Sequence, residues 1–204
     1  MTEQDAKAWI AARHGETAVD HISAFLAMVA DENGRQNLIS PSTIETIWSR
    51  HALDSVQLLS FLPGGAEHWI DIGTGGGFPG MVVALAWEGR VSLVEPRKRR
   101  AAFLAECVEQ LGISDRVMVH ASKIEAVRDQ ADVISARAVA TVENLLRAAA
   151  HCGKQGTRWL LPRGRFNERD LDGLRHHWQF VFHVEHSVTS TDSSIVILDR
   201  VRAK

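Results

Sequence analysis

Cysteine is nearly absent. Cys107 and Cys152 are the only two in 204 residues, which excludes a disulfide framework and leaves no metal-binding spacing. Long apolar runs are missing as well: the best, Met81 to Trp87, falls far short of the ~18 residues a membrane helix needs. The opening Met1-Thr2-Glu3-Gln4-Asp5 is acidic and lacks the positive and apolar regions of a secretory leader. A reducing cytoplasm and no membrane contact are therefore expected. Charge of one sign is lacking too, at a formal −2, which argues against a generic nucleic-acid binder. There is no internal repeat and no low-complexity stretch. What is present, 45% hydrophobic and 24% charged residues, is ordinary for a chain with a real core.

The even balance hides an asymmetry. Residues 1–64 hold four basic residues (Lys7, Arg13, Arg35, Arg50) against eight acidic ones, and the remainder holds 19 basic and 17 acidic. Much of the basic excess sits in Arg97-Lys98-Arg99-Arg100 and in Arg163 with Arg165, which permits a phosphate-rich partner without demanding one. His176, His177, His183 and His186 gather near the C-terminus. His183 and His186 fall on opposite faces of a strand, and no ligand pair has metal spacing, so no metal site is expected.

The first sixty residues read as helices. Ile22, Phe25, Leu26 and Val29 form one stripe on a helix from about Thr17 to Glu32, with Asn33-Gly34 as its stop. Ser40-Pro41 marks a second start, with Ile44, Ile47 and Trp48 as the buried face, and Leu53, Val56, Leu59 and Leu62 suggest a third helix. Pro63-Gly64-Gly65 then breaks the chain, giving an N-terminal helical extension (1–64) and a main domain (65–204). Beyond the break, strands at 69–72, 91–95, 117–119, 131–135 and 157–161 alternate with helices at 79–87, 97–111 and 140–150. A helix near 168–177 and strands at 179–184 and 194–198 follow. The fold class is α/β, with a doubly wound, mostly parallel sheet and an antiparallel C-terminal strand, because the last link is too short for a helical crossover.

The strongest local signal is Asp71-Ile72-Gly73-Thr74-Gly75-Gly76-Gly77 between the first strand and a helix, a turn whose backbone can approach a ligand closely. Gly75-x-Gly77-x-x-Gly80 satisfies the dinucleotide fingerprint, and Glu95 stands where a ribose-binding acid belongs. A nicotinamide or flavin enzyme and an S-adenosylmethionine enzyme both fit this much.

The acid two positions before the first glycine is the pattern of class I methyltransferases, and Gly77-Phe78-Pro79-Gly80 is narrower. With Asn37-Leu38, Arg50-His51-x-x-Asp54-Ser55, Lys98-Arg99, Ser122-Lys123-Ile124-Glu125 and Ile134-Ser135-Ala136-Arg137-Ala138, the chain resembles the bacterial small-subunit rRNA guanine-N7 methyltransferases, the glucose-inhibited division protein B family, from about Ala18 to Ile197. The resemblance implies a class I, Rossmann-like methyltransferase that moves a methyl group from S-adenosyl-L-methionine to N7 of guanine 527, in the 530-loop region of 16S rRNA. It implies that Gly73 and Phe78 border the cofactor's methionine and sulfonium end, with Gly75 also in the cofactor site and Glu95 near the ribose. Ile124 and Glu125 flank the adenine, and Arg137 sits at the mouth. Arg97, Lys98, Arg163 and Arg165 are the candidate contacts to 16S rRNA or the small-subunit particle, and a monomer is expected. Two positions depart from the family pattern: Pro162-Arg163 stands for Lys after the fifth strand, and Lys123 stands where arginine is commoner.

The chemistry points the same way. The five prolines are never adjacent and there is no tyrosine, so the Pro-Pro-aromatic segment that grips an exocyclic amine is missing. Neither cysteine is placed as a nucleophile for pyrimidine carbon. Guanine N7 carries a free lone pair and no proton, so its methylation needs alignment and no general base. No catalytic residue is assigned.

Overall fold

The computed structural model describes residues 1–137 and 140–204, with every side chain among them except those of Glu168 and Asp170. Ala138, the last residue of the Ile134–Ala138 motif, lies outside the described residues. Helix α1 (Glu3–His14) starts from a Thr2/Asp5 capping box. Helix α2 (Glu16–Gln36) runs through Asn33-Gly34 and ends four residues later than the sequence suggests, at Asn37 in the left-handed conformation. Asn33 does not stop the helix, because its side chain is engaged beyond it. Its Oδ1 accepts from the Ile39 amide at 2.8 Å and pins the turn that follows.

The predicted helices at 40–62 become one irregular run, a π turn Trp48–Leu53, α3 (Asp54–Val56) and a 3₁₀ turn Gln57–Phe61. The Glu3 carboxylate accepts from the amides of Trp48 and Ser49 at 2.8 and 2.9 Å, so α1 caps the start of that run. Ile44 is exposed rather than buried, because only a three-residue 3₁₀ turn, Pro41–Thr43, follows Ser40.

The sheet is built from β1 (His68–Ile72), β2 (Arg90–Val94), β3 (Val117–His120), β4 (Ala131–Ser135), β5 (Gly153–Arg163), β6 (Trp178–His186) and β7 (Ser194–Ala203), in the order β3-β2-β1-β4-β5-β7-β6. Strands β1 to β5 pair in parallel, and β7 lies antiparallel to both β5 and β6. Helices α4 (Gly80–Ala86), α5 (Lys98–Gln110) and α6 (Val142–Ala149) make the crossovers. The helix expected near 168–177 is two 3₁₀ turns, Glu168–Leu171 and Gly173–His176. Central strand β1 is buried over its whole length, as a parallel strand covered on both faces must be.

Two apolar clusters cover the two faces. One unites Ile10, Phe25 and Val29 of α1 and α2 with Trp69, Met81, Leu93 and Leu104, so the first 64 residues share a core with the sheet. Each fully buried side chain of that size contributes about 1.5–3 kcal/mol. The second cluster gathers Ile134, Leu146, Trp159 and Val196 on the opposite face. Cys107 and Cys152 are buried, one in each cluster, and burial pushes their thiols up to about 12 and about 11. They are packing residues.

Candidate functional site

The turns after β1, β2 and β4 open on one end of the sheet, where parallel α/β folds place ligands. There a cavity of about 570 Å³ is lined by Gly73, Gly75, Phe78, Glu95, Ile124, Glu125 and Arg137, residues from four separate segments. Arg97, Arg100 and Lys123 stand at its wall. Leu38, Asn144, Leu145 and Ala148 also line it. Leu38 was visible only as half of Asn37-Leu38, and the face of α6 carries no local motif to betray it.

The loop's own hydrogen bonds decide what it can hold. The amides of Gly73 and Thr74 donate to the Val94 carbonyl at 2.7 and 3.2 Å, and those of Gly77 and Phe78 to the Thr74 carbonyl at 2.9 and 3.1 Å. Gly75 donates to Glu95 Oε2 at 2.9 Å, and Gly80 to Asp71 Oδ2 at 3.0 Å. A dinucleotide pyrophosphate needs free amides at a helix start. Here those amides are engaged within the loop, and the Asp71 carboxylate sits beneath α4 where the phosphate would have to come. The fingerprint glycines thus serve the turn itself, and the dinucleotide reading fails.

Asp71 is wholly buried. Burial pushes its carboxyl up to about 6, against the pull of hydrogen bonds from Ser135, Thr74 and the Gly80 amide. Trp69 Nε1 donates to Ser135 Oγ at 2.8 Å, and Ser135 Oγ donates to Asp71 Oδ1 at 2.6 Å, so β1 and β4 are locked together under the loop. Glu95, 2% exposed, spreads its two oxygens between the Gly75 and Arg97 amides, at 2.9 and 2.8 Å.

Beside the cavity lies a second polar cluster that the sequence marked only as a family match. Arg137 Nη2 donates to His51 Nδ1 at 3.2 Å, which makes Nδ1 an acceptor and leaves the proton on Nε2, 2.8 Å from Thr43 Oγ1. Burial, with Arg137 and Arg50 nearby, pushes His51 down to about 3. The His51 ring lies 4.9 Å from that of Phe78, and the Arg137 guanidinium 5.4 Å from the Phe78 centroid.

His51 gives a pH signature. In the unfolded chain it takes a proton below pH 6.5, whereas the folded chain refuses it down to about 3, so its contribution to stability is complete above 6.5 and is lost on acidification. Asp71 works oppositely, stabilising as pH falls from about 6 to 3.8. Comparing wild type with His51→Gln isolates the first effect. In urea unfolding from pH 7.5 to 4, the wild-type advantage is expected to shrink at up to about 1.4 kcal/mol per pH unit. A constant difference would refute the neutral ring.

The four expected RNA contacts lie in different settings. Arg97 and Lys98 are exposed along a groove beside the cavity. Arg99 and Arg100 donate to the carbonyls of Arg35 and Asn37 at 3.5 and 3.2 Å, so they cap the C-terminus of α2, where cations are favoured. Arg163 is half-buried and donates from Nη1 to the Ala140 carbonyl at 2.8 Å. Arg165, exposed, pairs with Asp192 at 3.2 Å.

A sequence profile of the family "rRNA small subunit methyltransferase G" matches residues 18–196. The chain belongs to that family. Relatives named ribosomal RNA small subunit methyltransferase G include one from Rhizorhabdus wittichii, 44% identical over all of this chain and 95% of the relative. Another, from Erythrobacter litoralis, is 40% identical over all of this chain and 98% of the relative. Among solved structures, the fold is shared with an O-methyltransferase from Bacillus cereus (TM-score 0.55, 17% identity, 86% of this chain and 90% of that one). The mitomycin 7-O-methyltransferase MmcR also shares it (TM-score 0.59, 16% identity, 97% and 72%).

As a methyltransferase of this family the chain uses S-adenosylmethionine, and the cavity fits that molecule. Ile124, Leu145 and Ala148 offer an apolar wall, Glu95 a fixed carboxylate, and the glycine turn a wall without side chains. Bound there, the cofactor supplies an electrophilic methyl group on a sulfonium.

Proposed function

We propose that the chain methylates N7 of a single guanine in 16S rRNA, guanine 527 of the 530-loop region, acting as a monomer on the small-subunit particle in the cytoplasm. The observation that carries the reading is the meeting of the family-motif residues around one cavity whose loop amides are already engaged. In this reading Gly73, Gly75 and Phe78 border the methyl-bearing end of the cofactor, Glu95 holds its ribose, and Ile124 and Glu125 flank its adenine. Arg137 stands between cofactor and substrate. Bound there, S-adenosylmethionine would supply the methyl group, and because guanine N7 carries a lone pair and no proton, the residues around it would need to orient the base and would have no proton to remove. The protein contributes alignment. Neither cysteine lines the cavity, and no general base is needed.

The test is methyl transfer to small-subunit particles from a strain lacking this modification, with N7 methylation mapped by borohydride and aniline cleavage. One methyl per particle at guanine 527 is expected, and methylation of another atom or position would overturn the reading. In the same reading Arg97 and Lys98 contact RNA phosphates. Arg97→Ala with Lys98→Ala is expected to lower the slope of log affinity against log salt by about 1–2, and Lys98→Ala alone, outside the cavity lining, to lower it by about 1 with cofactor affinity unchanged. An unchanged slope returns both residues to the solvated surface.

A further inference from the structure

Adjoining the cofactor cavity at Arg137 is a pocket of about 160 Å³, lined also by Arg50, His51, Asp54, Thr189 and Ser193. Arg137 lines both spaces. Asp54 is held from one side only. Its Oδ1 accepts from Gln57 Nε2 at 2.9 Å, Ser187 Oγ at 3.0 Å and Thr189 Oγ1 at 2.9 Å. Its Oδ2 is 3.9 Å from Arg137 Nη1, too far for a hydrogen bond. The carboxylate is thus fixed in orientation, and among the described residues its Oδ2 accepts no hydrogen bond. Arg137, with Nη2 given to His51, keeps further N–H groups to donate.

We infer that this pocket binds the target base, with Asp54 Oδ2 accepting from guanine N1–H and Arg137 donating to guanine O6. This rests on the reading of the substrate as a guanine in rRNA, and it assigns the residues that choose the base. Around the purine perimeter N7, O6 and N1 follow one another, and the structure presents the cofactor cavity, Arg137 and Asp54 in the same succession. A base seated with O6 on Arg137 and N1 on Asp54 turns N7 toward the cofactor. Adenine keeps N7 but inverts the pattern, placing N6–H donors against a guanidinium and a bare N1 lone pair against a carboxylate. Uracil would set its O4 on Arg137 but has no N7. The neutral His51 ring offers a stacking surface that does not repel the cationic product. Asp54, beside N1, faces the ring that gains the charge.

The test compares wild type with Asp54→Asn on small-subunit particles carrying guanine or adenine at the target position. Single-turnover rates are measured alongside calorimetry with S-adenosylhomocysteine. Wild type is expected to prefer guanine by at least 1000-fold, because adenine leaves two desolvated groups mispaired. Asp54→Asn is expected to cut that preference at least tenfold with cofactor affinity unchanged, since an amide can donate to adenine N1. An unchanged preference in the variant, or cofactor affinity falling in step with rate, would overturn the assignment. Should the variant not fold, wild type decides: adenine particles methylated within tenfold of guanine particles overturn it. No methylation of guanine particles would bring down the parent reading instead.

Discussion

Gly77→Ala is expected to destabilise the protein by about 4 kcal/mol, whereas Gly75→Ala costs about 1 kcal/mol, although both glycines belong to the same motif. Gly77 has φ 102°, and an added Cβ would run into the ring of buried Phe25 on α2, with Met81 at 3.2 Å behind it. Backbone strain and overpacking then add. Gly75 has φ 60°, where a side chain is merely uncommon, and its Cβ would meet only Gly73 O at 3.7 Å and Arg100 Nη1 at 3.8 Å. Urea unfolding should rank the two clearly, and the larger loss corresponds to a melting point lower by roughly 10 °C. Cofactor affinity measured on the folded fraction should rank them the other way, since only residue 75 lines the cavity. Equal destabilisation would mean that Phe25 gives way at no cost.

Glu95→Ala is expected to weaken S-adenosylhomocysteine binding by about 100-fold. The carboxylate fixes the Gly75 and Arg97 amides from 2.9 and 2.8 Å while almost closed to solvent, and hydrogen bonds to a charged group contribute about 1.5–3 kcal/mol each. Removing it frees the turn on one side of the cavity and the start of α5 on the other. Glu95→Gln retains the shape but must present an N–H to one of two donors, so about a tenfold loss is expected. Calorimetry on both variants checks this. An alanine variant that binds as tightly as wild type would show that the loop holds its form without this side chain.

The parallel half of the fold was legible because buried parallel strands are short apolar runs and their helices carry clear stripes. Strands β1 to β4 fall where the runs of 69–72, 91–95, 117–119 and 131–135 predict them, within a residue or two. The insertion of β7 between β5 and β6 was not legible, because a local pattern says that two strands pair and not which third strand lies beside them. The irregular run at 48–61 defeated periodicity for a different reason. Its π turn shifts the buried face, so His51, Ala52 and Leu53 are all inside together. The glycine loop announced a nucleotide-type site, yet its pattern alone allowed two cofactor classes. What separates them is where each amide donates, which depends on Val94, Glu95 and Asp71 approaching from three directions. The role of Arg99 and Arg100 at the end of α2 was hidden likewise, since their partners are some 63 positions away.

The place of β7 bears on how the molecule is made. On the ribosome, β5 is finished at residue 163, but the strand that covers its free edge begins at residue 194. At ordinary synthesis speeds about 2–6 s of translation separate them. Through that interval the nascent chain carries an open β5 edge, and β6, which pairs only with β7 in the finished sheet, has no partner. Folding on and after synthesis is therefore expected in two stages, an early parallel half and a late closure once residues 194–203 are free to pair. Chaperones that shield strand edges have their window between the two.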